Sequence, residues 1–327
     1  MYSGTTTSIA GPFTASGDYR SIRVDLADAP LPQLTTTVPR EYVHRAAVSE
    51  VLLTSWKTDR SECFSVGAQW PRGHALFAPS GGYQDPLLLV ESVRQAGALL
   101  AHAAYEVPLT HQFLMRRMSF SALPGLFAVS PEPTEVELRI SCHDVVRHGR
   151  LLAGMRYHAH VWRDGRQLAT AQASFSCMSP AVYRRLRGER RVTSPLAVPL
   201  GVMPASVGRA AARDVVLAAT TSATPRRWQI RVDTTHPVLF DHPVDHVPGM
   251  VLLEAARQAA LAAARIPDAV LVELESEFVR YSELDAPCWI EAHPGRPDAV
   301  GDIPVVITGT QRGETAFTAL VTLRPRG

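Results

Sequence analysis

No Cys-x-x-C pair occurs in this chain, and its four cysteines, Cys63, Cys142, Cys177 and Cys288, stand far apart. That spacing speaks against a zinc knuckle or a disulfide scaffold and for a reducing, cytoplasmic setting. No apolar stretch approaches the roughly 18 residues that a membrane span requires. The N-terminus, MYSGTTT, lacks the basic and apolar regions of a signal peptide. P-loop, G-x-G-x-x-G and G-x-S-x-G motifs are also missing, so nucleotide binding and a serine nucleophile have no support. Neither charge sign dominates: 33 basic and 31 acidic residues leave a net charge of +2, which gives no general basis for nucleic-acid binding. A local cluster of Arg184, Arg185, Arg187, Arg190 and Arg191 is a candidate docking patch.

What the chain does contain is a globular composition, 46% hydrophobic and 20% charged, over 327 residues. That length suits two domains, each with its own core. Residues 1–35 are rich in Thr, Ser, Gly and Pro and are expected to form a loose leader. Residues 188–206, interrupted by Pro195, Pro199 and Pro204, read as a linker between domains at 36–187 and 207–327.

The two domains are copies of one pattern. HALFAPSGGYQDPLLLVESVRQAGALL (74–100) runs against HPVLFDHPVDHVPGMVLLEAARQAALAAA (236–264), so that Glu91, Arg94 and Gln95 fall on Glu254, Arg257 and Gln258. Upstream, VSEVLL (48–53) matches ARDVVL (212–217); downstream, VWRDGRQLATAQASF (161–175) resembles GTQRGETAFTALVTL (309–323). Each copy reads as a strand, a loop, one long helix and several strands. The helices are apolar nearly all round their first two turns, as in Leu87 to Val90 and Met250 to Leu253, so both should be buried. Strands are expected at 135–140, 155–162 and 168–176, then at 289–292, 305–308 and 316–323, with hairpin turns at Asp164–Gly165 and Arg312–Gly313. An antiparallel sheet wrapped around one buried helix is the hotdog arrangement, and the expected fold class is α+β with two fused hotdog domains.

In each helix Glu, Arg and Gln occupy i, i+3 and i+4 and share one face. Charged groups on a buried helix are costly unless paired or lining a wet cleft. Two readings stay open: an internal ion pair that fastens helix to sheet, or a cleft in which Glu91 or Glu254 acts as a general base. Ahead of the second helix lies DHPVDHVPG (241–249). Pro243 prevents a helical pairing of His242 with His246, so no metal is expected. Asp245, His242 and His246 are instead candidates to cap the helix or position substrate. Gly249 and Met250 can offer free N–H groups to an oxyanion, whereas the matching Pro86 has none. The two half-sites are therefore expected to be unequal.

QDPLLLVESVRQA and DHPVDHVPGMVLLEAARQA, together with VHRAAVSEVLL and FVRYSELDAPCWIEA (278–292), closely resemble the two halves of A-factor biosynthesis (AfsA-type) proteins from about residue 40 onward. The resemblance implies an acyltransferase that joins a β-ketoacyl group, held as a thioester on acyl carrier protein, to dihydroxyacetone phosphate. The ester then cyclises towards γ-butyrolactone or alkylfuran hormones, and no cofactor is implied. Carried over by position, the family's functional residues are Glu91, Glu254 and Arg257, with Arg94, Gln95 and Gln258 beside them as candidate binding groups. The related acyl-carrier dehydratases place a histidine where this chain has Phe77 and Phe240, which argues against simple water elimination as the reaction. A hotdog thioesterase and a non-enzymatic butyrolactone sensor remain the alternatives, and the oligomeric state, homodimer included, is left open.

Overall fold

A computed structural model of the chain describes residues 35–188, 196–219 and 225–326. The leader, apart from residue 35, and residues 189–195 of the linker lie outside these. The described residues from 36 onward form one compact unit.

The first copy contains β1 (Leu53–Arg60), β2 (Cys63–Trp70), α1 (Leu87–Ala103), β3 (Gln112–Ala122), β4 (Thr134–His148), β5 (Leu151–Arg163) and β6 (Arg166–Met178), followed by the short α2 (Pro180–Arg187). The second contains β7 (Arg227–Gln229), α3 (Gly249–Ala264), β8 (Val270–Phe278), β9 (Cys288–Pro294), β10 (Ile303–Gln311) and β11 (Glu314–Arg324). The expected strands are present and extend beyond the expected ends. Both hairpin turns carry positive φ at their two central residues, Asp164 (50°) with Gly165 (71°) and Arg312 (53°) with Gly313 (81°). That is the turn whose twist matches the flanking strands.

All strands belong to one antiparallel sheet, ordered β1-β2-β4-β5-β6-β3-β8-β11-β10-β9-β7. Read outward from its centre, the order β3-β6-β5-β4-β2 on one side mirrors β8-β11-β10-β9-β7 on the other. The halves join where β3 pairs with β8, with Met118 opposite Ser276 and Phe120 opposite Leu274. The Ser276 hydroxyl also donates to the Met118 carbonyl at 2.7 Å.

Each sheet half curls round its own helix. Leu87, Leu88, Leu89, Val93, Leu99 and Leu100 of α1 are fully buried. Side chains of this size contribute about 1.5–3 kcal/mol each on burial. Gly97 is where helix and sheet come closest: Tyr157 of β5 donates its hydroxyl to the Val93 carbonyl at 2.7 Å and leaves no room for a Cβ at Gly97.

Candidate active site

The repeated Glu, Arg and Gln form one buried cluster in each half. Glu91 accepts from Arg94 Nε (2.8 Å) and Nη2 (2.7 Å), from Gln95 Nε2 (2.7 Å), and from Arg45 Nε (3.0 Å) and Nη2 (2.6 Å). Glu254 accepts from Arg257 Nε (3.0 Å) and Nη2 (2.8 Å), from Gln258 (2.5 Å), and from Arg209 Nε at 2.8 Å. Burial by itself would raise the pKa of each glutamate. The paired guanidinium groups and the glutamine amide more than offset it and hold Glu91 and Glu254 at about 2. Both carboxylates therefore stay charged, and both are weak bases.

Gln95 and Gln258, candidate binding groups in the sequence, also bond to buried backbone ahead of each helix. Gln95 is completely buried and clasps the chain that enters β1: its Oε1 accepts from Leu52 N at 2.9 Å and its Nε2 donates to the Glu50 carbonyl at 2.7 Å. Gln258 does the same with Val216 N (3.0 Å) and the Asp214 carbonyl (2.8 Å). A second duplicated pair, His74 with Glu50 and His236 with Asp214, both at 3.3 Å, anchors the loops in front of the helices.

Arg45 and Arg209 tie the halves together. Arg45 Nη1 donates to the Val238 carbonyl of the second half at 3.1 Å, and Arg209 Nη1 donates to the Leu76 carbonyl of the first at 2.6 Å. The amides of Ala46 and Ala47 donate to the Asp241 carboxylate of the second half, at 2.5 and 3.0 Å. Consequently the helix N-terminus of each half faces the arginine cluster of the other.

The two resulting clefts differ. One is a cavity of about 250 Å³ between α1 and the start of α3, lined by Arg94, His44, Asp241, His242, His246, Gly249 and Met250 at its polar end. Phe113, Met115, Met118, Phe175, Leu252 and Leu253 form its apolar wall. The other, around Asp85, Pro86, Arg209 and Arg257, holds about 40 Å³. There the first helix is already capped, since Asp85 Oδ1 accepts from Leu87 N at 2.9 Å while its Oδ2 takes Arg209 at 3.0 Å. At the start of α3 the cap residue Pro248 supplies no side-chain acceptor, and Gly249 and Met250 keep N–H groups beside the open cavity. Gly249 and Glu254, although on one helix, thus serve different clefts. Gly249 shares its cavity with Arg94, whose Nε and Nη2 hold Glu91 and whose Nη1 has no hydrogen-bond partner among the described residues.

In the 241–249 loop, His242 is largely exposed at the cavity rim, 3.3 Å from Asp241. His246 Nδ1 lies 2.7 Å from Asp245 Oδ1. Asp245 also accepts from Tyr183 Oη (2.7 Å) and Arg187 Nε (3.1 Å) of α2. Within the basic cluster Arg187 is therefore committed and buried, while Arg184 and Arg185 are exposed; Arg190 and Arg191 lie outside the described residues.

Three residues of this region are not singled out by the helix motifs. Arg45 and Arg209 could have been found by extending the repeat a few residues upstream, where VHRAAVSEVLL (43–53) runs against VGRAAARDVVL (207–217). The same extension sets His44 against Gly208. Both adopt left-handed backbone, with φ of 53° and 66°, a conformation easy for glycine and strained for histidine. His44 Nε2 lies 2.7 Å from His102 Nε2, and His102 Nδ1 lies 2.7 Å from the Val107 carbonyl. Since a carbonyl only accepts, His102 carries its proton on Nδ1, His44 donates from Nε2, and His44 Nδ1 is left with a lone pair. Burial, Arg94, His102 and His242 push the His44 pKa down to about 3, so its ring is neutral.

A sequence profile for the A-factor biosynthesis hotdog domain matches residues 26–179 and again 192–325. The chain is 50% identical over 292 residues to a 2-oxo-3-(phosphooxy)propyl 3-oxoalkanoate synthase of Streptomyces virginiae, covering 89% of this chain and 99% of that protein. It is 40% identical over 289 residues to the synthase of that name from Streptomyces griseus, covering 86% and 93%. Among solved structures it is similar to a 12:0-ACP thioesterase from Umbellularia californica, with a TM-score of 0.50 at 10% identity over 83% of this chain and 100% of that one, a likeness of fold alone. With both halves of the profile matched in order and relatives aligned over nearly their whole length, the chain belongs to the A-factor biosynthesis hotdog family.

Proposed function

We propose that the protein transfers a 3-oxoacyl group from a thioester on acyl carrier protein to the free hydroxyl of dihydroxyacetone phosphate, forming a 2-oxo-3-(phosphooxy)propyl 3-oxoalkanoate. The relatives named for that product, 50% and 40% identical across most of the chain, support the reaction class. The observation that carries it to this molecule is the open cavity. Its apolar wall suits an acyl chain, and at its polar end an arginine with an unused donor faces a helix N-terminus with unused N–H groups.

In this reading the thioester carbonyl oxygen sits against Gly249 and Met250 N–H, where the helix dipole and two donors favour the negative charge of the tetrahedral intermediate. Arg94, held rigid by Glu91, directs Nη1 at the phosphate of the acceptor. The ester so formed has a methylene between two carbonyls and a ketone within reach, and their condensation with loss of water gives a butenolide phosphate. Glu254 and Arg257 support the reaction at a distance, by closing the second cleft and fixing the two halves to each other.

Mass spectrometry of the product from 3-oxoacyl carrier protein and dihydroxyacetone phosphate tests the reading. The expected result is the phosphorylated ester or its butenolide, appearing with release of carrier thiol. Free 3-oxo acid at a rate indifferent to dihydroxyacetone phosphate would overturn it in favour of a thioesterase.

A further inference from the structure

Ester formation needs a group that takes the proton of the attacking hydroxyl and later returns one to the departing sulfur. The two helix glutamates are poorly placed for this. Each receives donors from two guanidinium groups and an amide, and neither lines the open cavity. Of the polar side chains that do line it, one carboxylate and three imidazoles are the candidate bases. Asp241 is occupied by two backbone amides, His44 is neutral and feebly basic, and His242 sits in solvent at the rim.

His246 differs from all of these. Its ring lies edge-on to Tyr281, with centroids 4.7 Å apart, and its Nδ1 is 2.7 Å from Asp245. Asp245 is fixed in turn by Tyr183 and Arg187, while Glu283 holds the rest of the Arg187 guanidinium at 2.7 and 2.8 Å. Arg187 also covers the Tyr281 ring face at 4.3 Å. The imidazole is thus clamped from two sides. Because the carboxylate accepts from Nδ1–H, the lone pair is on Nε2. Burial would raise the Asp245 pKa, but His246, Tyr183 and Arg187 more than offset it and keep Asp245 ionised, ready to stabilise an imidazolium.

We propose that His246 is the general acid–base catalyst of the acyl transfer and Asp245 its positioning residue, an assignment that rests on the reaction proposed above. As the hydroxyl oxygen bonds to the thioester carbon, its proton passes to His246 Nε2, and the carbonyl electron pair moves onto the oxygen facing Gly249 and Met250. When the intermediate collapses the C=O re-forms, the C–S bond breaks, and His246 returns the proton to the thiolate. Thioester and alcohol become ester and thiol, with His246 regenerated. His246 precedes the oxyanion donors Gly249 and Met250 by three and four residues, where the loop enters α3, and α2 of the other half holds that loop through Asp245.

The test uses the full chain with 3-oxoacyl carrier protein and dihydroxyacetone phosphate. His246→Gln is expected to lower kcat about 10²–10⁴-fold with unchanged KM for the acceptor, and His246→Ala to regain part of the rate on addition of imidazole. The charged and titratable groups around His246 are Asp245, Asp241 and His242 of its own loop, Tyr281, Arg280 and Glu283 of the segment after β8, Tyr183 and Arg187 of α2, and Arg94 and His44 of the same cavity. Of the carboxylates only Asp245 is in hydrogen-bond contact with the ring, Asp241 being held by two backbone amides and Glu283 by Arg187, so Asp245→Asn should shift the acid limb of the kcat–pH profile to lower pH as well as reduce kcat. Wild-type kcat in His246→Gln overturns the assignment. So does a loss of kcat that imidazole leaves unrepaired while Asp245→Asn keeps the wild-type acid limb, because that pattern belongs to a structural residue. Failure of the wild-type protein to make any ester would instead overturn the reaction.

Discussion

Asp85 and Arg209 meet at 3.0 Å across the joint between the two halves, and that contact decides which of two similar clefts stays open. Asp85 caps the first helix with one oxygen and holds Arg209 with the other, while Arg209 pairs with Glu254 at 2.7 Å. In the opposite cleft Arg45 pairs with Glu91, and among the described residues Pro248 stands at the helix cap with no side-chain acceptor, so the space that Asp85 fills in the first half stays open.

Arg209→Met and Arg45→Met should therefore behave differently. Each leaves a buried helix glutamate with one arginine in place of two, and Arg209→Met also takes the arginine from buried Asp85; the loss of stability is expected to be about 3–5 kcal/mol in urea unfolding for Arg45→Met and no smaller for Arg209→Met. Assayed where both variants remain folded, Arg209→Met should keep kcat within a few-fold of wild type. Arg45→Met should lose more, because Glu91 then holds Arg94 less rigidly.

Acid should unfold the protein through these clusters. The folded-state pKa values of Glu91 and Glu254, at about 2, lie below the ordinary 4.5. Their stabilisation is fully present above about pH 4.5 and is lost as the pH falls towards 2. At about 1.4 kcal/mol per pH unit, each contributes on the order of 3 kcal/mol. Circular dichroism from pH 6 to pH 2 should show a cooperative loss of structure in that window; a native signal retained at pH 2 would count against it.

The role of the second helix start can be isolated at Gly249. Gly249→Pro removes one N–H at a position where helices accept proline, and Gly249→Ala keeps the N–H while adding a similar Cβ. That Cβ would meet the Phe278 ring at 3.3 Å in either variant, so both share the steric cost. A further fall of about 10²–10³-fold in kcat is expected for proline over alanine. Equal rates would remove the amide from the oxyanion site.

Acyl length should be read by the wall opposite that helix. Ala98 of α1 lines the cavity beside Met118 and Phe175, and Ala98→Leu fills space that the distal carbons would occupy. Each excluded methylene is worth about 0.8 kcal/mol. In competition between thioesters of different length, the variant should shift preference towards shorter chains; an unchanged ratio would place the acyl chain elsewhere.

The duplication, the burial of both helices and the hairpin turns were legible because each depends on local pattern: an all-round apolar helix, a period-two strand, a turn whose residues accept positive φ. The strands that join the halves, β3 and β8, were not anticipated. β8 alternates buried and exposed residues over most of its length and β3 buries only Met118 and Phe120, and nothing in residue type marks a strand that will pair across a domain boundary. Arg45 and Arg209 were visible only as part of a longer repeat, since a lone arginine in a loop gives no sign of the carboxylate it will meet.

By itself, then, the order of residues determined that two helices would each present a Glu, an Arg and a Gln from one buried face, and that only the second would begin with usable N–H groups. Which arginine those groups face was decided by tertiary structure alone. The β3–β8 pairing sets the halves side by side, so Gly249 opposes Arg94 of the other helix rather than Arg257 of its own. That pairing is made by backbone hydrogen bonds between segments about 150 residues apart, and backbone groups carry no sequence label.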